Sequence, residues 1–124
     1  MMVQDILDVL SSSDIVQEVI VLIRVQEPTN QALRARAHLK GRYVLHINET
    51  LGRGYRNYSY HIQKRNKMVR RWDNAPHWPA MKTFPHHLHA GDEDRPIECE
   101  EIFIDDVLNE IKAIIEGEGY SQEE

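Results

Sequence analysis

Alternating apolar and polar residues predict a series of β-strands in the first two-thirds of the chain. The pattern is clearest between Gln31 and Leu39, where every second residue is apolar and the residues between them include Arg34 and Arg36. Such a strand turns one row of side chains toward a core and the other toward solvent. Alternation or β-branched density predicts strands over residues 15–27, 31–39, 43–48, 58–63 and 68–72. Short turns between them favour an antiparallel meander of about five strands.

Helical spacing of apolar residues predicts one helix at each end of the chain. Val3, Ile6 and Leu10 lie three or four positions apart, which is the period of one helix face, and the same period runs over Phe103–Ile115. We therefore predict an α+β fold in which an N-terminal and a C-terminal helix pack on one face of the meander. We expect residues 1–124 to form a single domain, with residues 117–124 as a frayed tail.

The segment from Asp73 to Asp94 is predicted to be an irregular loop. Pro76, Pro79 and Pro85 interrupt any regular helix or central strand there. Loops of about 20 residues are uncommon in a small domain and are usually functional or disordered. Because this loop also holds aromatic residues, disorder is disfavoured. We expect an ordered functional loop folded over the basic face of the sheet.

Composition is that of an ordinary globular protein, with 41% hydrophobic and 28% charged residues. No apolar run approaches the roughly 20 residues needed to span a bilayer. The N-terminal residues carry acids where a signal peptide would carry bases. The single cysteine, Cys99, excludes an internal disulfide and a cysteine-rich zinc motif. We expect a cytoplasmic protein with no membrane partner.

The two halves of the chain carry opposite charge, although the net charge is only −5. Between Arg34 and Arg71 there are eleven Lys or Arg residues and one acid, Glu49, whereas residues 92–124 hold thirteen acids and two bases. One interpretation is that the halves neutralise each other within the fold. The other is a basic surface for phosphate groups, with an acidic segment that covers it or faces a partner.

Histidine and arginine residues in the middle of the chain are suited to RNA cleavage without a metal. That reaction needs a base to activate the 2′-hydroxyl, an acid to protonate the leaving oxygen and cations to stabilise the phosphorane. Histidine titrates in the right range for the first two tasks. The candidate catalytic residues are His61, His77, His87, Asp73 and Tyr60, with Asp73 orienting a histidine. The candidate nucleic-acid-binding residues are Arg34, Arg36, Arg70, Arg71 and Trp78.

The same residues leave two other interpretations open. His87 and His89 are two positions apart in an extended segment, so their side chains point the same way and could ligate a divalent metal such as zinc, with Asp73 nearby. Alternatively, the same residues bind nucleic acid or protein without catalysis. Except in the metal interpretation, no cofactor is expected. Trp72 is expected to be a core residue at a strand end.

Three strings in this region resemble the TumE-like family, whose members are toxins of prokaryotic toxin–antitoxin systems. They are YSYH at residues 58–61, RWDNAPH at 71–77 and TFPHHLH at 83–89. The resemblance implies a growth-inhibiting toxin paired with an antitoxin, usually a helix-turn-helix protein. Trp78 stands where a second histidine often follows in the family pattern. The positions that match the family pattern are Tyr60, His61, Arg71, Asp73, Asn74, His77, His86, His87 and His89.

Together these observations predict the toxin component of a toxin–antitoxin pair. We expect it to be an RNA-directed endonuclease that uses histidine acid/base chemistry on a basic sheet face. Its expected partners are RNA and a cognate helix-turn-helix antitoxin, and a homodimer is compatible with the sequence.

Overall fold

The computed structural model describes residues 1–91 and 93–119 and shows a helix at each end of a seven-stranded sheet. Helix α1 spans Val3–Ser12 and helix α2 spans Ile104–Gly119. The strands are β1 (Val16–Gln26), β2 (Gln31–Leu39), β3 (Tyr43–Gly52), β4 (Tyr55–Lys64), β5 (Lys67–Asp73), β6 (His87–Ala90) and β7 (Ile97–Glu98). Each strand pairs antiparallel with the next one in the chain. The predicted α+β meander with two terminal helices is confirmed.

The prediction of about five strands is corrected to seven. The two additional strands, β6 and β7, lie in and just beyond the segment predicted to be an irregular loop. The three prolines of that segment all precede β6, so they do not interrupt its pairing with β5. Leu88 of β6 packs against the core, which gives this short strand an apolar anchor. The irregular part before β6 is therefore a connector of residues 74–86 between β5 and β6.

The terminal helices pack on the same face of the sheet, which we call the helix face. Its centre is a row of directly opposed residues on β2 to β5, each at most 2% exposed: Ala35, Ile47, Tyr60 and Trp72. The buried residues of α1 and α2 complete this core. Trp72 is fully buried, which confirms its predicted place in the core. Helix α2 continues to Gly119, so it includes part of the segment predicted to fray, and residues 120–124 lie outside the described residues.

A buried polar network on the helix face connects β3 and β4 to the segment that precedes α2. The guanidinium of Arg56 pairs with Glu49 and donates a hydrogen bond of 2.9 Å to the carbonyl oxygen of Ile102. Arg56 also contacts Glu101 at 3.0 Å, and the Tyr60 hydroxyl donates to Glu49. Burial and the adjacent Glu49 carboxylate raise the pKa of Tyr60 well above its ordinary value. Glu49 is 3% exposed, so its charge depends on these partners for compensation.

The opposite side of the sheet, which we call the open face, is not covered by either helix. Its residues alternate with the core residues along each strand, as the pleat of a strand requires.

Within the described residues, no helix is long and apolar enough to cross a membrane.

Candidate functional site on the open face

Two rows of polar side chains cross the open face from β2 to β6. The strand register places the residues of each row opposite one another on neighbouring strands. Cross-strand neighbours lie about 5 Å apart, so each row is continuous. The first row is Arg34, Asn48, Ser59, Asp73 and His87, and the second row is Arg36, His46, His61, Arg71 and His89.

A groove of about 830 Å³ runs over the first row and ends against the connector between β5 and β6. Asn74 holds the start of this connector, because its side-chain oxygen accepts from the Tyr58 backbone N–H at 2.9 Å and its amide donates to the Arg56 carbonyl at 2.6 Å. His77 and the exposed Trp78 are thereby placed in the groove wall. The other chemically active lining residues are Arg34, Arg71, Asp73, His87 and His89.

Asp73 is the centre of the polar contacts in the groove, although it is only 6% exposed. One carboxylate oxygen accepts from the Ala75 backbone N–H at 3.0 Å and lies 2.9 Å from Nε2 of His87. The other oxygen accepts from Nε of Arg71 at 3.0 Å. Nδ1 of His87 lies 3.0 Å from the carbonyl oxygen of Pro85. These contacts fix the orientations of both Arg71 and His87 around one buried carboxylate.

Burial and neighbouring basic side chains lower the pKa of each histidine in the second row. Burial lowers the pKa of His61, and the adjacent His46 and Arg71 lower it further. Burial and then Arg71 lower the pKa of His89 in the same way, and burial and then Arg36 lower that of His46. Nε2 of His61 is buried and has no hydrogen-bond partner among the described residues.

His86 points away from this site even though it precedes His87. Its Nδ1 lies 2.8 Å from the hydroxyl of Tyr58, and the two rings stack. Tyr58 belongs to the helix face, and burial raises its pKa to about 12. The rings of His87 and His89, in contrast, lie 4.9 Å apart in an edge-to-face arrangement. Of the three clustered histidines, only His87 and His89 therefore share the groove.

The structure brings most of the predicted site residues together and separates two of them. Tyr60 lies on the helix face, fully buried and bonded to Glu49, and Arg70 lies on the same face, where it pairs with Glu110 of α2 at 3.2 Å. His46 is an addition that the sequence analysis missed, although its alternation with Ile47 could have placed it on the polar side of β3. The predicted residues that share the open face or its wall are Arg34, Arg36, His61, Arg71, Asp73, His77, Trp78, His87 and His89.

Comparison with known proteins identifies the family of this chain. A search of curated proteins and a search of solved structures each found no match. A family model described as toxin TumE matches residues 6–115, a range that includes every strand and all of the open face. The chain therefore belongs to the TumE toxin family, which makes it the toxin component of a toxin–antitoxin system with an antitoxin as its partner.

Proposed function

We propose that this toxin acts by cleaving RNA, with the groove of the open face as the site that receives the scissile phosphodiester. The observation that carries the proposal is the convergence of cationic, proton-transferring and aromatic side chains in one uncovered groove. Arg71, His77 and Trp78 come from a strand end and its connector, and Arg34 comes from β2, three strands away. Cations, a proton donor and a proton acceptor are the groups that phosphodiester cleavage requires.

The distribution of charge supports binding of a polyanion to this face. Carboxylates of the acidic C-terminal segment pair with basic residues of the helix face, where Glu110 contacts Arg70 and Glu101 contacts Arg56. On the open face Arg71 pairs with Asp73, and its side chain remains 40% exposed. Arg34 donates to the neutral amide oxygen of Asn48 at 2.9 Å, so this contact leaves its charge uncompensated. The acidic segment thus neutralises one face and leaves positive charge on the other.

We assign phosphate binding to Arg71, because its Nε is fixed by Asp73 while the guanidinium stays at the surface of the groove. His77 is exposed in the groove wall, where it can transfer a proton to or from a bound nucleotide. His61 lies directly opposite Arg71 on β4 and is the second proton-transfer candidate, since its lowered pKa keeps it able to accept a proton at neutral pH. Trp78 is 37% exposed and offers a ring on which a base can stack.

The test is expression from a tightly repressed promoter in a bacterial host, with growth and total RNA integrity followed in the same cultures. We expect growth arrest together with discrete RNA fragments. His77→Gln and His61→Gln should abolish both effects, and their thermal stability should stay close to that of the unaltered protein. His38→Gln is the matched control, because His38 is also on the open face but neither lines the groove, as His77 does, nor lies opposite Arg71, as His61 does. Arrest with intact RNA would overturn the proposal and would indicate a toxin that binds without cleaving.

We also propose that the antitoxin is a helix-turn-helix protein, as the resemblance of the three sequence strings implies. Co-expression of a neighbouring helix-turn-helix gene should restore growth, and its protein product should co-purify with the toxin. Failure of that protein to relieve the arrest would refute this assignment without affecting the proposal for RNA.

A further inference from the structure

We propose that Asp73, His87 and His89 form a binding site for one divalent transition-metal ion, of which zinc is the representative. One ligand atom from each residue lies within 4.8 Å of the others. Asp73 and His87 are directly opposed on β5 and β6, and His89 follows two residues later on the same face of β6. The backbone that carries all three ligands is therefore a paired sheet, which fixes their spacing before any ion binds.

The hydrogen bonding of His87 is the strongest argument for a cation at this position. The Pro85 carbonyl can only accept, so the 3.0 Å contact is a hydrogen bond in the tautomer of His87 that carries its proton on Nδ1. In a neutral imidazole this leaves a lone pair on Nε2, and Nε2 lies 2.9 Å from a carboxylate oxygen of Asp73. Two acceptors at this distance repel each other unless a cation lies with them. A metal ion bound by both groups would remove this repulsion.

The surroundings of the cluster are those of metal ligands. Histidines that bind metals usually donate the other ring N–H to a carbonyl or carboxylate, as His87 does to Pro85. Asp73 is in turn held by the Ala75 backbone N–H and by Arg71. His87 is 2% exposed and Asp73 6% exposed, whereas His89 is only half-buried and lines the groove. These hydrogen bonds thus orient the ligands, and an ion can reach the site from the groove.

The donor set selects the class of ion. Two imidazole nitrogens and one carboxylate suit Zn²⁺ and neighbouring transition metals, whereas Mg²⁺ and Ca²⁺ prefer all-oxygen sites. Three protein ligands leave a fourth position for water or for a substrate oxygen. A contribution of this ion to RNA cleavage rests on the proposed function, but binding of the ion does not.

The test measures metal binding without RNA. The purified full chain is treated with a chelator, exchanged into metal-free buffer and titrated with Zn²⁺ in competition with a chromophoric chelator, and bound metal is counted by mass spectrometry. We expect one Zn²⁺ per chain. His89→Gln should weaken binding by about 100-fold or more, since loss of a ligand should cost at least as much as the 10–100-fold loss expected for an outer-shell partner. His86→Gln is the matched control, because His86 is adjacent in sequence but bonded to Tyr58, and it should bind Zn²⁺ normally.

A second measurement keeps the inference testable if a variant folds poorly. Zn²⁺ should raise the Tm of the unaltered protein and of His86→Gln, but not that of His89→Gln, because a ligand that binds only the folded state stabilises it. Absence of Zn²⁺ binding by the unaltered protein would overturn the inference. Equal binding by His89→Gln and the unaltered protein would also overturn the inference. Neither result depends on whether the protein cleaves RNA.

Discussion

Arg70 and Arg71 are adjacent in sequence but lie on opposite faces of the sheet, so they provide a matched test of the proposal that the open face binds RNA. We expect Arg71→Gln to weaken RNA binding and Arg70→Gln to leave it unchanged. Both substitutions remove one positive charge and keep a polar, though shorter, side chain. Only Arg71 lines the groove, whereas Arg70 pairs with Glu110 of α2.

The size of the effect follows from counterion release. Each phosphate neutralised on a single strand changes the slope of log Kd against log salt concentration by about 0.7. At 0.15 M salt the loss of one contact therefore weakens binding about fourfold, or about 0.8 kcal/mol, and at 0.05 M about eightfold. Arg70→Gln should instead cost about 0.2–1 kcal/mol of folding stability, because its partly exposed salt bridge is lost.

Fluorescence anisotropy with a labelled 2′-O-methyl RNA oligonucleotide measures these affinities, because this RNA lacks the free 2′-hydroxyl that would attack the phosphodiester. Titrations at several salt concentrations give the slope for each variant. Equal losses for the two variants, or a larger loss for Arg70→Gln, would refute the assignment of RNA to the open face. An unchanged salt slope for Arg71→Gln would show that this side chain contacts no phosphate.

Three further predictions concern stability and the groove wall. Glu49→Gln should destabilise the protein by about 3–5 kcal/mol in urea unfolding, because it removes the buried carboxylate that pairs with Arg56, whereas Glu101→Gln, at an exposed carboxylate, should cost less than about 1 kcal/mol. Because burial lowers the pKa of His61 in the folded state, the unfolded state binds protons first, so Tm should fall as the pH drops below about 6.5, and His61→Gln should reduce that fall. A Tm that is independent of pH between 7.5 and 5.5 would contradict this reasoning. Trp78→Ala should weaken binding of single-stranded RNA by about 1–3 kcal/mol per stacked base with little change in Tm, and unchanged affinity would exclude stacking on this ring.

Local alternation in the sequence is sufficient to predict five of the seven strands and most of the open face. Once a strand is assigned, its alternate residues must share a face, and this rule placed Arg34, Arg36 and His61 opposite the core. The same rule applied strictly moves Tyr60 and Arg70 to the helix face. Tyr60 is two residues from the core residue Ile62, and Arg70 is two residues from the core residue Trp72. The chemistry of Tyr60 and Arg70 suits the proposed site, but their positions in the strands do not place them there.

Other features depend on pairing between distant residues and could not be predicted from local patterns. Strand β6 has four residues, and its pairing with β5 is what distinguishes it from a loop. The contact of Asp73 with both Arg71 and His87 likewise requires the register of that pair. The partner of the buried Glu49 is Arg56 across a hairpin, and a single charged residue within an apolar pattern does not reveal it.

The strictly sequential order of the strands has a consequence for synthesis of the toxin. Because every strand pairs with its predecessor, the sheet can grow by one hairpin at a time as the chain leaves the ribosome. The groove, however, needs β5, the connector and β6, and the core beneath it needs α2, which begins only at Ile104. The groove that we propose as the RNA site is therefore completed only after α2 has been made. Truncated products that end before α2 should fail to form this groove and should not inhibit growth.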